Sequence, residues 1–235
     1  VFRKKGSNSP MGDYFVDWVL KGLEERYGAQ VVYHGGLKVT TTLDPLLQRM
    51  AHESVVGGLE DLEKNMRGAA ESGGGSSDGA TDRVQGALVA IQVNSGAVKA
   101  MVGGRNYAQS EFNRAVESNR QPGSGFKPFL YYTAFERLSI NPATVMVDKP
   151  VKVPVPGAPD WRPVNFRREY QGPMILKKAF YESINTIAAQ LVAQTGPEAV
   201  IATAKRCGIE SELAPVFSVA LGSSGVSPLE MASAF

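Results

Sequence analysis

Residues 121–135 read QPGSGFKPFLYYTAF, and the fold turns on how this stretch is taken. Ser124 and Lys127 stand three apart where two glycines and a proline give way to an apolar, aromatic run. Side chains three apart on a helix share a face, so Ser124 Oγ and Lys127 Nζ can meet if the helix begins at the serine. Pro128 supports that start: it lacks an N–H, which is harmless only in the first turn. The serine then sits at the positive end of the helix, where an oxyanion or carboxylate is favoured. Phe126 and Phe129 can partly desolvate the lysine and lower its pKa towards a value useful in a base. The competing reading is a serine that only caps a helix. With 18 serines and 12 lysines in the chain, about one S-x-x-K is expected by chance, so the pair alone does not decide.

Composition narrows the chemistry. The 235 residues suffice for one large domain or a domain with an appendage, and 43% hydrophobic with 20% charged residues is ordinary globular usage. A net charge of +2 makes no field that argues for nucleic acid. The single cysteine, Cys207, excludes an internal disulfide and any multi-cysteine metal site, and reads as a small buried hydrophobe. His34 and His52 have no plausible co-ligands, so a histidine-based zinc site or a Ser-His-Asp triad lacks raw material. No apolar run approaches a membrane span, and VFRKKGSNSPMGDYF has no signal-peptide core. The abrupt beginning, and the end on the helical MASAF, suggest a piece of something longer.

Residues 13–27 place Phe15, Trp18, Val19 and Leu23 on one helical face, with Asp13 as N-cap and Gly28 as the stop. GLKVTTTLD alternates Leu37, Val39, Thr41 and Leu43 with period two and predicts a strand. Asp44-Pro45 caps and opens a helix through about Leu62. Residues 68–83, rich in Gly and Ser, predict a flexible loop. GALVAIQV-NSG-AVKAMVGG predicts a buried β-hairpin that starts the main sheet, turning at Gly96. Helices follow at 124–138, 174–182, 184–195 and 197–207. The proline-punctuated excursion from Asn141 to Pro173 predicts a loop or two short strands.

A serine–lysine catalyst needs a further hydrogen-bonding group to relay the proton, and S-x-N can supply it. Ser139 and Asn141 lie too close along the chain to fold back, and SINP reads better as a helix terminus. Ser183 and Asn185, in FYESINTIAAQ, fall between two helical segments where a loop can face a cleft. Ser183 as an N-cap of the following helix is the competing reading.

Longer stretches carry a resemblance. GLKVTTTLDPLLQRMA is similar to the linker of bifunctional (class A) penicillin-binding proteins, and GALVAIQVNSGAVKAMVGG to the first hairpin of their transpeptidase domain. SEFNRAVESNRQPGSGFKPFLY resembles the region of the family's nucleophile, WRPVNF its mid-domain loop and SVALGSSGVSPLEMASAF a late helical segment. The resemblance implies an α/β (α+β) transpeptidase fold shared with β-lactamases, an antiparallel sheet flanked by helices, with residues 1–45 as linker region and 46–235 as the transpeptidase domain. It implies Ser124 as the acylated nucleophile, Lys127 as its base, Ser183 as relay hydroxyl and Asn185 as the amide that holds lysine and substrate. The implied reaction is acyl transfer from peptidoglycan stem peptides ending in D-Ala-D-Ala, at the extracytoplasmic face of the bacterial membrane. β-Lactam antibiotics would be trapped as the acyl-enzyme, and no cofactor or metal is called for.

The family's third motif, K-T/S-G, is absent from the chain, as are an upstream glycosyltransferase domain and membrane anchor. The expectation is therefore a transpeptidase domain incomplete at its C-terminus, inactive by itself if the missing strand supplies the oxyanion hole. Two rivals stand beside it. A β-lactamase-like hydrolase would need a deacylating glutamate, and no E-x-x-L-N occurs. A non-catalytic scaffold would bind cell-wall assembly proteins through the first helix, the linker and the Gly/Ser loop.

Overall fold

Backbone chemistry near residue 12 sets the first helix. In the computed structural model, which describes residues 12–72 and 83–235, α1 (Asp13–Tyr27) is entered through Gly12 at φ 94° and left through Gly28 at φ 78°. Gly12, not Asp13, is the N-cap: its carbonyl takes the first helical bond from Val16 N at 2.8 Å. Asp13 lies inside the first turn, where a carboxylate meets the positive helix end. A short helix that periodicity did not announce, α2 (Ala29–His34), follows.

The strand expected at GLKVTTTLD does not form. Residues 36–44 carry no regular structure, and Leu37 and Val39 are exposed. Alternation provides two faces but no neighbour, and a strand exists only where a partner completes its ladder. Here Thr42 Oγ1, donating to Val98 O at 2.7 Å, and Asp44 N, donating to Lys99 O at 2.9 Å, tack the segment down, and Leu43 packs against the core beside them. Asp44 does cap the next helix, its Oδ1 accepting from Leu46 N and Leu47 N at 2.9 and 3.1 Å. That helix, α3 (Pro45–Ser72), runs well past Leu62, so the first residues of the expected 68–83 loop are helical. Residues 73–82 of that loop lie outside the described residues.

The hairpin forms, β1 (Leu88–Gln92) pairing antiparallel with β2 (Ala97–Val102) and Gly96 turning at φ 68°, but of the two strands expected to be buried only β2 largely is, while β1 is half-buried. In the described residues it is a two-stranded sheet. Gln48 of α3 acts as a substitute strand on its far side. Its Nε2 donates to Met101 O at 3.0 Å and its Oε1 accepts from Met101 N at 2.8 Å, satisfying both backbone groups of a fully buried residue. Phe15, Val98, Met101 and Ala115 form the core here, with Trp18 and Val19 packed against it. These elements belong to one of two compact units, built from residues up to Ser118 together with Ser227–Ser233. That unit includes most of α8 (Pro228–Ala234), the helix expected at MASAF.

The other unit, Asn119–Val226 with Ala234–Phe235, carries the Ser124 region. A 3₁₀ turn, Gly123–Phe126, leads into α4 (Lys127–Arg137). The excursion contains β3 (Val145–Asp148), which pairs antiparallel with β4 (Gly172–Ile175), and a lone bridge between Val153 and Trp161. Then come α5 (Leu176–Tyr181), α6 (Asn185–Thr195) and α7 (Pro197–Arg206). Helix α4 packs on α6 and α7, burying Leu130, Ala134, Ile187, Leu191 and Val200 completely. Each of the leucine, isoleucine and valine side chains contributes about 1.5–3 kcal/mol over its exposed state. Cys207, expected to be buried, is only half-buried, because it caps α7 where the helix leaves the core. Small antiparallel sheets with flanking helices are thus the architecture. Among the described residues, no helix is long and apolar enough to cross a membrane, and no cluster of side chains is arranged to hold a metal.

Candidate active site

The 3₁₀ turn explains why Ser124 and Lys127 share a face. Lys127 N donates to Ser124 O across the turn, and side chains three apart in a 3₁₀ helix eclipse one another. Pro128 then falls in the first turn of α4, where it forfeits no bond. Gly123, at φ 57°, backs against Gly222, at φ 69°, its N–H directed at Gly222 O at 3.4 Å. A Cβ on Gly222 would overlap the Gly123 backbone, so this close approach requires glycine.

Ser124 is exposed, whereas Lys127 is 2% exposed between Phe126 and Phe129, both buried. Lys127 does not reach Ser124 by a hydrogen bond of its own; it reaches it through Ser183. Lys127 Nζ donates to Ser183 Oγ at 2.9 Å, to Ser183 O at 2.6 Å and to Asn185 Oδ1 at 2.8 Å. Ser183 Oγ in turn donates to Ser124 Oγ at 2.7 Å. All three N–H bonds of an ammonium are thereby used. Its partners are neutral, and burial pulls the Lys127 pKa down to about 8.

Ser183 is not the N-cap of α6; that position is Ile184. Instead Ser183 closes α5. Its N–H donates to Phe180 O at 3.0 Å and Ile184 N–H to Ala179 O at 2.9 Å, the bond pair of a Schellman ending whose left-handed residue is usually glycine. Ser183 takes that role at φ 56°, a strained conformation for a residue with a Cβ. Asn185, the first residue of α6, also donates through Nδ2 to Val164 O at 2.9 Å, which leaves Oδ1 for the lysine. The rejected pair stays apart: Asn141 bonds Ala143 N and Thr144 Oγ1 in the turn after α4, and Ser139 is exposed.

Sequence reasoning missed the layer beneath. Asn165, inside WRPVNF, is 6% exposed and accepts through Oδ1 from Asn185 N at 3.0 Å and Thr186 N at 3.2 Å. Its Nδ2 donates to Asp148 Oδ1 at 2.8 Å, and Thr186 Oγ1 bonds the same oxygen. No spacing links positions 148, 165 and 186; the one local sign was an asparagine between apolar residues in a proline-rich loop.

Chemically, the site is a chain of exchangeable protons from an exposed hydroxyl to a desolvated amine. When Lys127 is neutral, its lone pair can accept from Ser183 Oγ, Ser183 can accept from Ser124, and both hydroxyls reverse their donor roles. The Ser124 proton then has a path to Lys127 as Ser124 Oγ becomes nucleophilic.

The chain resembles known proteins in sequence and in fold. The family described as the penicillin binding protein transpeptidase domain matches residues 86–235. Penicillin-binding protein 1A of Aquifex aeolicus is 30% identical over 99% of the chain and 41% of its own length. Penicillin-binding protein 1B of Vibrio cholerae is 31% identical over 91% of the chain and 26% of its own length. Among solved structures, penicillin-binding protein 1A of Haemophilus influenzae superposes with a TM-score of 0.81 at 24% identity, over 100% of this chain and 46% of that one. PonA1 of Mycobacterium tuberculosis, solved in complex with penicillin V, gives 0.76 at 26% identity, over 97% of this chain and 58% of that one. The chain thus spans well under half the length of these curated relatives.

Proposed function

Because the chain belongs to the penicillin-binding protein transpeptidase domain family, we propose that it is the part of a peptidoglycan D,D-transpeptidase that forms the acyl-enzyme, with Ser124 as nucleophile. The observation that carries this reading is the unbroken bond chain Ser124–Ser183–Lys127, which ends in a lysine that Asn185 also holds and whose pKa burial pulls down to about 8. Ser124 Oγ bonds to the carbonyl carbon of the penultimate D-alanine while its proton passes through Ser183 to Lys127. The amide C–N bond then breaks, and the leaving D-alanine takes that proton back. In the second half, the amine of a neighbouring stem peptide attacks the ester carbonyl, its proton returns to Ser124 Oγ through Lys127 and Ser183 as the C–O bond breaks, and the cross-link is complete.

A β-lactam enters by the same first step, but its leaving nitrogen stays tethered through the opened ring, so the ester persists. In this reading residues 1–45 are the linker region and 46–235 belong to the transpeptidase domain. In the whole protein it works on the extracytoplasmic face of the bacterial membrane, within reach of cell-wall assembly proteins.

Intact-mass spectrometry after incubation with a fluorescent penicillin tests the proposal, on the complete protein with a Ser124→Ala control. A single adduct that requires Ser124 and decays slowly is expected. Absence of the adduct from the complete protein overturns the reading, and rapid release of hydrolysed penicillin would make the protein a β-lactamase instead.

A further inference from the structure

A buried carboxylate is linked by hydrogen bonds to the start of α6, and the acylation scheme gives it no part. Asp148, the last residue of β3, is 1% exposed, and among the described residues no cation pairs with it. Its charge is met by neutral donors only: Asn165 Nδ2 at 2.8 Å, Gln171 N at 2.9 Å and Thr186 Oγ1. Burying a carboxylate without a counter-ion is costly unless its donors are held in place, so these three groups are mutually fixed.

Two of them lead to the site. An asparagine amide can point either way, and Asp148 accepts only from its nitrogen end. That orientation, which the Glu169 carbonyl supports by accepting from the same nitrogen at 2.9 Å, turns Asn165 Oδ1 towards the start of α6, where it takes the N–H groups of Asn185 and Thr186. Both belong to the first turn of a helix, which has no intrahelical partners for them. Thr186 is tied to Asp148 directly as well. The start of α6 is thus held from both the backbone and the side chain, one residue from where Asn185 Oδ1 meets Lys127 at 2.8 Å.

We propose that Asp148 is a positioning residue which, through Asn165 and Thr186, fixes the start of α6 so that Asn185 and Ser183 stay in register with Lys127. For its catalytic consequence the inference rests on the reading of Lys127 as the base. Among the described residues, Lys127 hydrogen-bonds only the neutral Ser183 and Asn185 and no carboxylate. Losing the Asn185 acceptor removes a bond that favours the ammonium, so the Lys127 pKa falls further.

The experiment uses the complete protein and four variants: Asp148→Asn, Thr186→Val, Thr186→Ser and Ser124→Ala. The first readout is the Lys127 titration midpoint by NMR of its side-chain carbon; the second is the acylation rate with a fluorescent penicillin against pH. Asp148→Asn is expected to lower the plateau rate by about 10²-fold, the scale of a misplacement near 1 Å, and to move the midpoint to lower pH. Thr186→Val keeps the buried volume but loses the hydroxyl, and should shift both in the same direction. Thr186→Ser loses a methyl group but keeps the bond to Asp148, and should restore both towards wild type. A purely structural role predicts that serine is no better than valine and that the midpoint stays put, and that outcome overturns the proposal. If Asp148→Asn does not fold, the valine and serine pair decides alone. If the wild type forms no Ser124-dependent adduct, acyl transfer fails as a function, while the Lys127 midpoints still uphold or overturn the positioning role.

Discussion

Ser183 Oγ donates to Ser124 Oγ at 2.7 Å across 59 residues of chain, and Ser183 arrives there only by adopting φ 56°. One residue therefore serves two ends: it closes α5 in a conformation that suits glycine, and it links the proposed nucleophile to the proposed base.

Those two roles separate on substitution. Ser183→Gly relieves the left-handed strain, while Ser183→Ala keeps it, so the glycine variant should be more stable than the alanine variant by about 1 kcal/mol. Both lose the hydroxyl and should lose most penicillin acylation. Thermal unfolding and adduct formation, measured side by side, check this. Acylation by either variant at the wild-type rate would remove Ser183 from the relay.

The proposed base sets the expected pH profile. With Lys127 neutral above about 8, the acylation rate constant should climb through that pH and level off above it, since only the amine can accept the proton. Stability follows from the same depression of its pKa. Below about 8, Lys127 is charged in both folded and unfolded states, and its burial penalty is fully present. Between about 8 and the ordinary lysine value of 10.5 the unfolded chain holds the extra proton, so this group's penalty fades as pH rises. Lys127→Met should abolish acylation and remove this contribution to the pH slope of denaturant unfolding. A wild-type rate already level at pH 6 would contradict the assignment.

Close backbone approach beside the proposed nucleophile makes a third test. Gly222→Ala would drive a Cβ into Gly123 and force φ 69° on a residue that resists it. We expect a loss of about 2 kcal/mol or more, together with slower acylation, because Gly123 precedes Ser124. A fully stable and active alanine variant would show that the two segments are free to part.

In the other unit, Gln48→Met keeps much of the side-chain volume but orphans the Met101 N–H and carbonyl that Gln48 clasps. Leaving these two buried groups unpaired should cost about 2–4 kcal/mol. Hydrogen exchange at the Met101 amide should accelerate accordingly. Unchanged protection there would mean that the clasp contributes little.

Local rules carried several features from sequence to structure. Pro128 is tolerated only in a first turn, which located the helix start to within a turn: the helix expected from Ser124 opens as the 3₁₀ turn Gly123–Phe126 and becomes α4 at Lys127, with Ser124 and Lys127 on one face; the flanking phenylalanines already implied a desolvated lysine. Gly96 and the apolar runs around it specified the hairpin, and Asp44-Pro45 the start of α3. Each of these depends on residues within a turn or two of one another, where backbone sterics and capping bonds act directly.

Tertiary structure decided what no short window contains. The alternating segment around Leu37 and Val39 stayed irregular because no strand lay beside it to complete a ladder. Ser183 and Asn185, rather than Ser139 and Asn141, reached Lys127 because α4 packs on α6, and the buried Asp148–Asn165–Thr186 linkage joins three segments whose separations carry no period. The sequence by itself determined which residues can form a helix start, a turn or a charge poor in solvent. Which distant polar groups end up sharing a proton path depended on chain closure, since a hydrogen bond between remote residues is selected by the packing around it and leaves no mark on the sequence between them.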